Sequence, residues 1–205
     1  AGLFRSYTSV VDAERLSRVE TTSWKDLVWC LCFLHSAVQE RRKFGPIGWG
    51  VPYEFNQGDL EASLTFLEKH SFSAQGLNWP TVQYMICEVQ YGGRITDDFD
   101  RVLFNTFGNT WLNSGILRES FLFSQGASGG FQYGKPAADS IEGVRNYISS
   151  FPSADSPEIF GLHANADLTF GTNEARYILT TISDTHPQVS NLFFLFFFFF
   201  FLVCV

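Results

Sequence analysis

Apolar residues recur at helical spacing over most of the chain. From Trp24 to Lys43, Leu27, Val28, Leu31, Leu34 and Val38 mark a long helix with apolar character on more than one side. Thr22 or Ser23 is expected to cap it, with Asp26 in its first turn, and Phe44-Gly45-Pro46 to stop it. Arg41, Arg42 and Lys43 fall in the last turn, where cations meet the negative end of the helix dipole. Ile47 to Phe55 places Gly48, Gly50 and Pro52 among aromatics, so a structured loop pinned by Trp49, Tyr53 and Phe55 is expected. Asp59 to His70 reads as a second helix with Leu60, Leu64 and Leu67 on one face and Asn56 or Gly58 near its start.

A loop over Ser71 to Asn78 leads to a third helix opened by Trp79-Pro80 and ended by Tyr91-Gly92-Gly93. Its expected stripe is Val82, Met85, Ile86 and Val89. Thr96 is expected to cap a fourth helix whose first turn carries Asp97, Asp98 and Asp100. Phe99, Leu103, Phe107 and Trp111 form its expected buried side. From Asn113 to Lys135 the pattern dissolves into Gly and Ser, marking a linker with a short strand at Phe121-Leu122-Phe123. Helical segments return at Ile141 to Phe151, at Asp155 to Leu162 as a capped turn, and at Glu174 to Ile182 with Thr172 or Asn173 as cap. The fold class is mainly α, in two helical pieces.

The 205 residues, 45% hydrophobic and 17% charged, suit one domain or two small ones. The net charge of −7 disfavours nucleic acid as a partner. Eight of the 23 Phe residues cluster at Phe193, Phe194 and Phe196 to Phe201. The apolar run from Leu192 falls short of the roughly 20 residues of a spanning helix and lacks a basic flank, so a membrane is not expected as a partner. Phe codons are pyrimidine-only, and residues 189–205 are expected to be a gene-model or splicing artefact. The chain starts at Ala1 without Met and is expected to be a fragment.

The chemistry-bearing residues are few. Asp97, Asp98 and Asp100 read as a helix start rather than a metal site, because no further carboxylate follows at ligand spacing. Arg94 and Arg101 are within reach to pair with them. Arg41-Arg42-Lys43 reads as a solvated or salt-bridged helix end, with Glu40 beside it. Gly92-Gly93-Arg94 lacks the phosphate-loop pattern and reads as a helix break. His35 is expected to be a hydrogen-bonded core residue. Cys30, Cys32, Cys87 and Cys204 show no paired zinc spacing, and Cys30 and Cys32 face different sides of a regular helix. No nucleophile–His arrangement is visible, so no catalytic, cofactor or metal residue is expected.

The stretch WKDLVWCLCFLHSAVQERRKFGPIGWGVPYEFNQGDLEASLTFLEKH, followed in order by TVQYMICEVQYGGRITDDFDRVL and LHANADLTF, resembles the C-terminal part of the motor region of dynein heavy chains. The combination of QERRKFGP, PYEFN, YGGRITDDFD and FGLHANAD is specific, and its wording is similar to the axonemal, outer-arm type. Gly50 and Val102 depart from it, standing where relatives commonly carry Asn and Arg.

The resemblance implies an organisation. Residues 1–23 would end a preceding AAA+ segment, 24–112 would form the helical lid of the sixth AAA+ module, 113–137 a linker and 138–188 the start of the C-terminal domain. It implies no ATP site in this piece; ATP and Mg would act upstream in the parent. The implied partners are the rest of the dynein ring and, through the parent, intermediate chains, light chains and microtubules. The implied location is the cytoplasm, cytoskeleton and ciliary axoneme. Charge at helix ends beside tight Gly turns marks Arg41, Arg42, Trp49, Arg94, Asp97 and Asp98 as expected mechanical elements. A stand-alone helical adaptor, tethered to a membrane by the Phe-rich tail, is the competing reading.

Overall fold

A computed structural model describes residues 1–19, 21–70, 77–124, 131–138 and 140–185. The Phe-rich tail, His186 and Cys204 lie outside the described residues, as do 71–76 of the expected loop and 125–130 of the expected linker.

The order is α1 (Gly2–Ser9), α2 (Ala13–Ser17), α3 (Thr22–Glu40), α4 (Gln57–His70), α5 (Trp79–Gln83), α6 (Asp98–Trp111), β1 (Leu122–Ser124), β2 (Tyr133–Gly134), α7 (Ile141–Ser149) and α8 (Ala166–Thr185). Residues 1–167 form one compact unit, and the chain from Leu168 forms a second.

The first unit is built round α3. Trp24, Leu27, Val28, Trp29, Leu31, Leu34 and Val38 are all buried, as are both intervening thiols, Cys30 and Cys32. A helix apolar on every side needs neighbours on every side. On one side α1 brings Leu3 and Tyr7, and the Trp24 indole donates to the Arg15 carbonyl of α2 at 2.9 Å. Neither α1 nor α2 was anticipated from the sequence. The cap of α3 is Thr21, one residue earlier than expected.

On a second side lies the stretch expected to be a linker. Its antiparallel strands pair Leu122 with Gly134 and Ser124 with Tyr133. Phe123 stacks on Phe33 with ring centroids 4.1 Å apart, and the Trp29 indole donates to the Gly134 carbonyl at 3.2 Å. The Lys135 ammonium meets Asp26 at 2.7 Å, tying the hairpin to the first turns of α3. Ile116, Phe123 and Tyr133 are buried, so this Gly/Ser-rich stretch contributes to the same core as α3.

On a third side pack α4 and α6. Leu60, Leu64 and Leu67 of α4 are buried as expected, and Asn56 and Asp59 exchange side-chain bonds with each other's backbone N–H at the helix start. The buried face of α6 agrees with the expected one at Phe107 and Trp111 and differs in its first turns. Phe99 is 87% exposed, and Asp100, Phe104, Phe107 and Trp111 face inward. The cap is Asp97 rather than Thr96, its carboxylate accepting the N–H groups of Phe99 and Asp100.

The third helix also departs from regular spacing. After α5 the chain widens into a π-helical turn over Tyr84–Gln90, closed by the Tyr91 N–H donating to the Ile86 carbonyl at 3.0 Å. One extra residue enters the turn, so Cys87 and Tyr91 face inward while Val89 turns outward. Tyr91 then stacks on Phe104 at 5.5 Å and reaches His35. The widened turn thus places this aromatic in the core.

α8 begins at Ala166, earlier than the expected Glu174, and in the second unit Leu168, Tyr177, Ile178, Leu179 and Ile182 along it are exposed.

Candidate functional site

The junction between the end of α3 and the loop over residues 48–55 gathers three of the six expected mechanical residues, Arg41, Trp49 and Asp97. The last turn tightens to 3-10 geometry over Arg41–Ile47, and Gly45, at φ 58°, reverses the chain where a side chain would be strained. The reversal folds Gly48 back on the Arg41 carbonyl so closely that a Cβ would sit 1.8 Å from it.

Arg41 is buried rather than solvated. Its Nε and Nη2 both donate to the Gly48 carbonyl, at 2.9 and 2.7 Å, and Nη1 donates to the Phe160 carbonyl. The guanidinium lies 5.1 Å from the Trp49 ring and 5.4 Å from the Phe107 ring, so it is held by carbonyls in its plane and by π faces. Burial pushes its pKa down to about 10, against the field of Asp100. Trp49 is buried and donates from Nε1 to the Val38 carbonyl at 2.9 Å.

Asp100 holds the other edge of this loop. Its two oxygens accept the N–H groups of Gly50 at 3.0 Å and Val51 at 3.2 Å. The Asp97 N–H donates to the Tyr53 hydroxyl at 3.1 Å. The start of α6 and the aromatic loop are therefore joined at two points. Asp98 stays exposed in the same first turn. Arg42 is exposed and lies 3.6 Å from Glu54, while Lys43 pairs with Glu40 at 2.7 Å as anticipated.

Arg94 and Arg101 do not pair with the acidic cluster. Arg94 donates to Asp59 at 2.8 Å, and Arg101 donates to the Ile95 carbonyl at 2.8 Å. Asp59, not anticipated as a site residue, thus joins the Gly-Gly-Arg break to the start of α4. The capping spacing Asn56-x-x-Asp59 is the signal that marks it in the sequence.

Besides Arg41, Asp59 and Asp100, the fold buries a histidine and thiols, which are held in uncharged forms. His35 lies 2.9 Å from the Tyr91 hydroxyl, and burial pushes its pKa down to about 4. Burial pushes the Cys87 thiol up to about 12 and raises Cys30 and Cys32 strongly. These thiols carry no thiolate at neutral pH. Among the described residues, no group of three or more His, Cys, Asp and Glu is placed to hold a metal ion. No described helix is long and apolar enough to cross a membrane.

The buried charges of this helical domain tie elements together through main-chain carbonyls and N–H groups, which makes it a packing module. Residues 24–166 match the sequence model of the Dynein heavy chain AAA lid domain. The chain belongs to that family. The match runs through the β1–β2 hairpin and α7, beyond the residue 112 expected as the lid's end.

The chain is 44% identical over 194 residues, 93% of its length, to mouse "Dynein axonemal heavy chain 5". It is 44% identical over 193 residues, again 93% of its length, to human "Dynein axonemal heavy chain 8". It is 46% identical over 195 residues, 92% of its length, to "Dynein gamma chain, flagellar outer arm" of Chlamydomonas reinhardtii. In each case it spans 4% of the relative's length.

Proposed function

We propose that this chain is the lid of the sixth AAA+ module in the ring of an axonemal, outer-arm dynein heavy chain. Its work is mechanical. It passes a displacement from one packed element to the next, while ATP and Mg act elsewhere in the parent motor. Residues 1–23 end the AAA+ segment before the lid, and the chain beyond residue 166 enters the domain that follows. The rest of the ring is its direct partner. Intermediate chains, light chains and microtubules are partners of the parent, which drives minus-end-directed motility in cilia or flagella. The location is the cytoskeleton of the axoneme, reached from the cytoplasm.

The observation that carries this reading is the double tie of the aromatic loop. Arg41 holds Gly48 from α3, and Asp100 holds Gly50 and Val51 from α6. A loop fixed from two helices cannot move without moving both, which is the requirement for a block that transmits displacement. Arg94–Asp59 extends the tie to α4.

Long-read sequencing of the transcript tests the setting. A reading frame that continues upstream of Ala1 into phosphate-loop modules, with the Phe tract spliced out, agrees with the proposal. A mature transcript that starts near Ala1 and retains the tract overturns it.

A further inference from the structure

The two bonds from Arg41 to Gly48 are local, but the third reaches Phe160, far along the chain. Phe160 ends the 3-10 turn Pro157–Phe160, and Gly161 follows at φ 65°. Within this reversal the Gly161 N–H donates to the Glu158 carbonyl and the Leu162 N–H to the Pro157 carbonyl, both at 3.0 Å. The Phe160 carbonyl faces Arg41 instead. A Cβ at Gly161 would lie 3.2 Å from the Phe107 ring and 3.7 Å from Arg41 Nη1, so the reversal rests directly on the Arg41–Phe107 stack. The Phe160 ring lies 6.0 Å from Phe44, on the segment that follows Arg41. The chain enters α8 at Ala166.

We propose that Arg41 is a positioning residue whose Nη1 latches the 157–161 reversal to the end of α3, fixing the point from which the chain runs on to α8. A latch made of a buried cation on a carbonyl holds by direction as much as by charge. The Gly48 carbonyl and the two rings orient the guanidinium so that an Nη1 N–H is aimed at the Phe160 carbonyl. Lysine carries its three donors on one atom and has neither the planar fork that spans the Gly48 and Phe160 carbonyls from three nitrogens nor the flat face that lies against the two rings. The consequence for motility rests on the reading of the chain as a transmitting lid; the latch itself does not.

Hydrogen exchange on the whole 205-residue chain tests the latch. Arg41→Met and Arg41→Lys should each speed exchange of the Gly161 and Leu162 amides at least about tenfold, with protection of α4 and α6 retained. Gly161→Ala, strained by its positive φ, should open the same amides while leaving the Gly48–Trp49 turn protected; it serves if Arg41→Met does not fold. Unchanged Gly161 and Leu162 exchange in the Arg41 variants overturns the latch, as does a uniform rise across α3, α4 and α6. In the full heavy chain, Arg41→Lys should lower gliding speed at least twofold at unchanged ATP turnover. Local opening without that split overturns the transmitting lid and leaves the latch standing.

Discussion

Asp100 accepts the backbone N–H of Gly50 at 3.0 Å, so a carboxylate in the first turn of α6 caps a loop rather than its own helix. Its second oxygen takes Val51, and capping of the helix falls to Asp97. Hydrogen bonds to a charged group contribute about 1.5–3 kcal/mol each, and a buried donor left without a partner adds a desolvation cost. Asp100→Ala should therefore lower unfolding stability by about 3 kcal/mol, with Asp100→Asn losing less because one acceptor remains. Urea denaturation measures both. A change within about 0.5 kcal/mol for the alanine variant would contradict the assignment.

Gly108 of α6 faces the Cys87 thiol so closely that a Cβ would lie 2.2 Å from Sγ. Gly→Ala within a helix normally stabilises by up to about 1 kcal/mol. Here the clash reverses the sign, and Gly108→Ala should destabilise by about 1–3 kcal/mol. Cys87→Ala should relieve it. A double-mutant cycle should give a coupling of at least about 1 kcal/mol. Additive effects would place the π turn elsewhere.

His35 sets an acid limit. Its pKa is about 4 in the fold against the ordinary 6.5, with burial as the cause. Between those values the unfolded chain binds the extra proton. Stability is thus full above pH 6.5 and falls as pH drops toward 4. The loss across this window is about 3 kcal/mol. His35→Gln should flatten that part of the stability–pH curve, which thermal melts from pH 7 to about 4 would reveal. An unchanged slope would remove His35 as its source.

Arg94 and Asp59 share one ion pair but not one role. Arg94 is half-exposed, so Arg94→Gln should cost under about 1 kcal/mol and the effect should fade in high salt. Asp59 also accepts the Asn56 N–H, so Asp59→Ala should cost about 2 kcal/mol, with a share that salt leaves untouched. Equal costs with equal salt dependence would show that the cap contributes nothing.

The regular elements were legible because their apolar residues keep a regular period. The heart of α3, the leucine face of α4 and the aromatic loop after Gly48 all follow from spacing and from Gly among aromatics. The errors arise where a polar residue is buried or the period changes. Asp100 faces inward to serve Gly50 and Val51, so the first half of the expected α6 stripe is displaced: Phe99 is exposed and Phe104 is buried, while Phe107 and Trp111 are buried as expected. The π turn adds a residue that no 3.6-residue count contains, and Val89 trades places with Tyr91. Arg41 at a helix end reads as a cation for solvent, because the carbonyl that completes its site belongs to Phe160, far downstream. Lys135 and Asp26 meet across a stretch whose Gly/Ser composition gives no hint of packing. Of the expected mechanical residues, Arg41, Trp49 and Asp97 meet around the aromatic loop, whereas Arg94 serves α4, and Arg42 and Asp98 lie exposed.

Transmission through the lid is tested most directly by Arg94→Glu in the full heavy chain, with ATP turnover, gliding speed and thermal stability measured together. Reversal places a carboxylate against Asp59 and cuts the tie between the Gly-Gly break and α4. The predicted result is slower gliding per ATP hydrolysed, with the motor still folded. Unchanged gliding, turnover and stability would contradict a mechanical role for this tie.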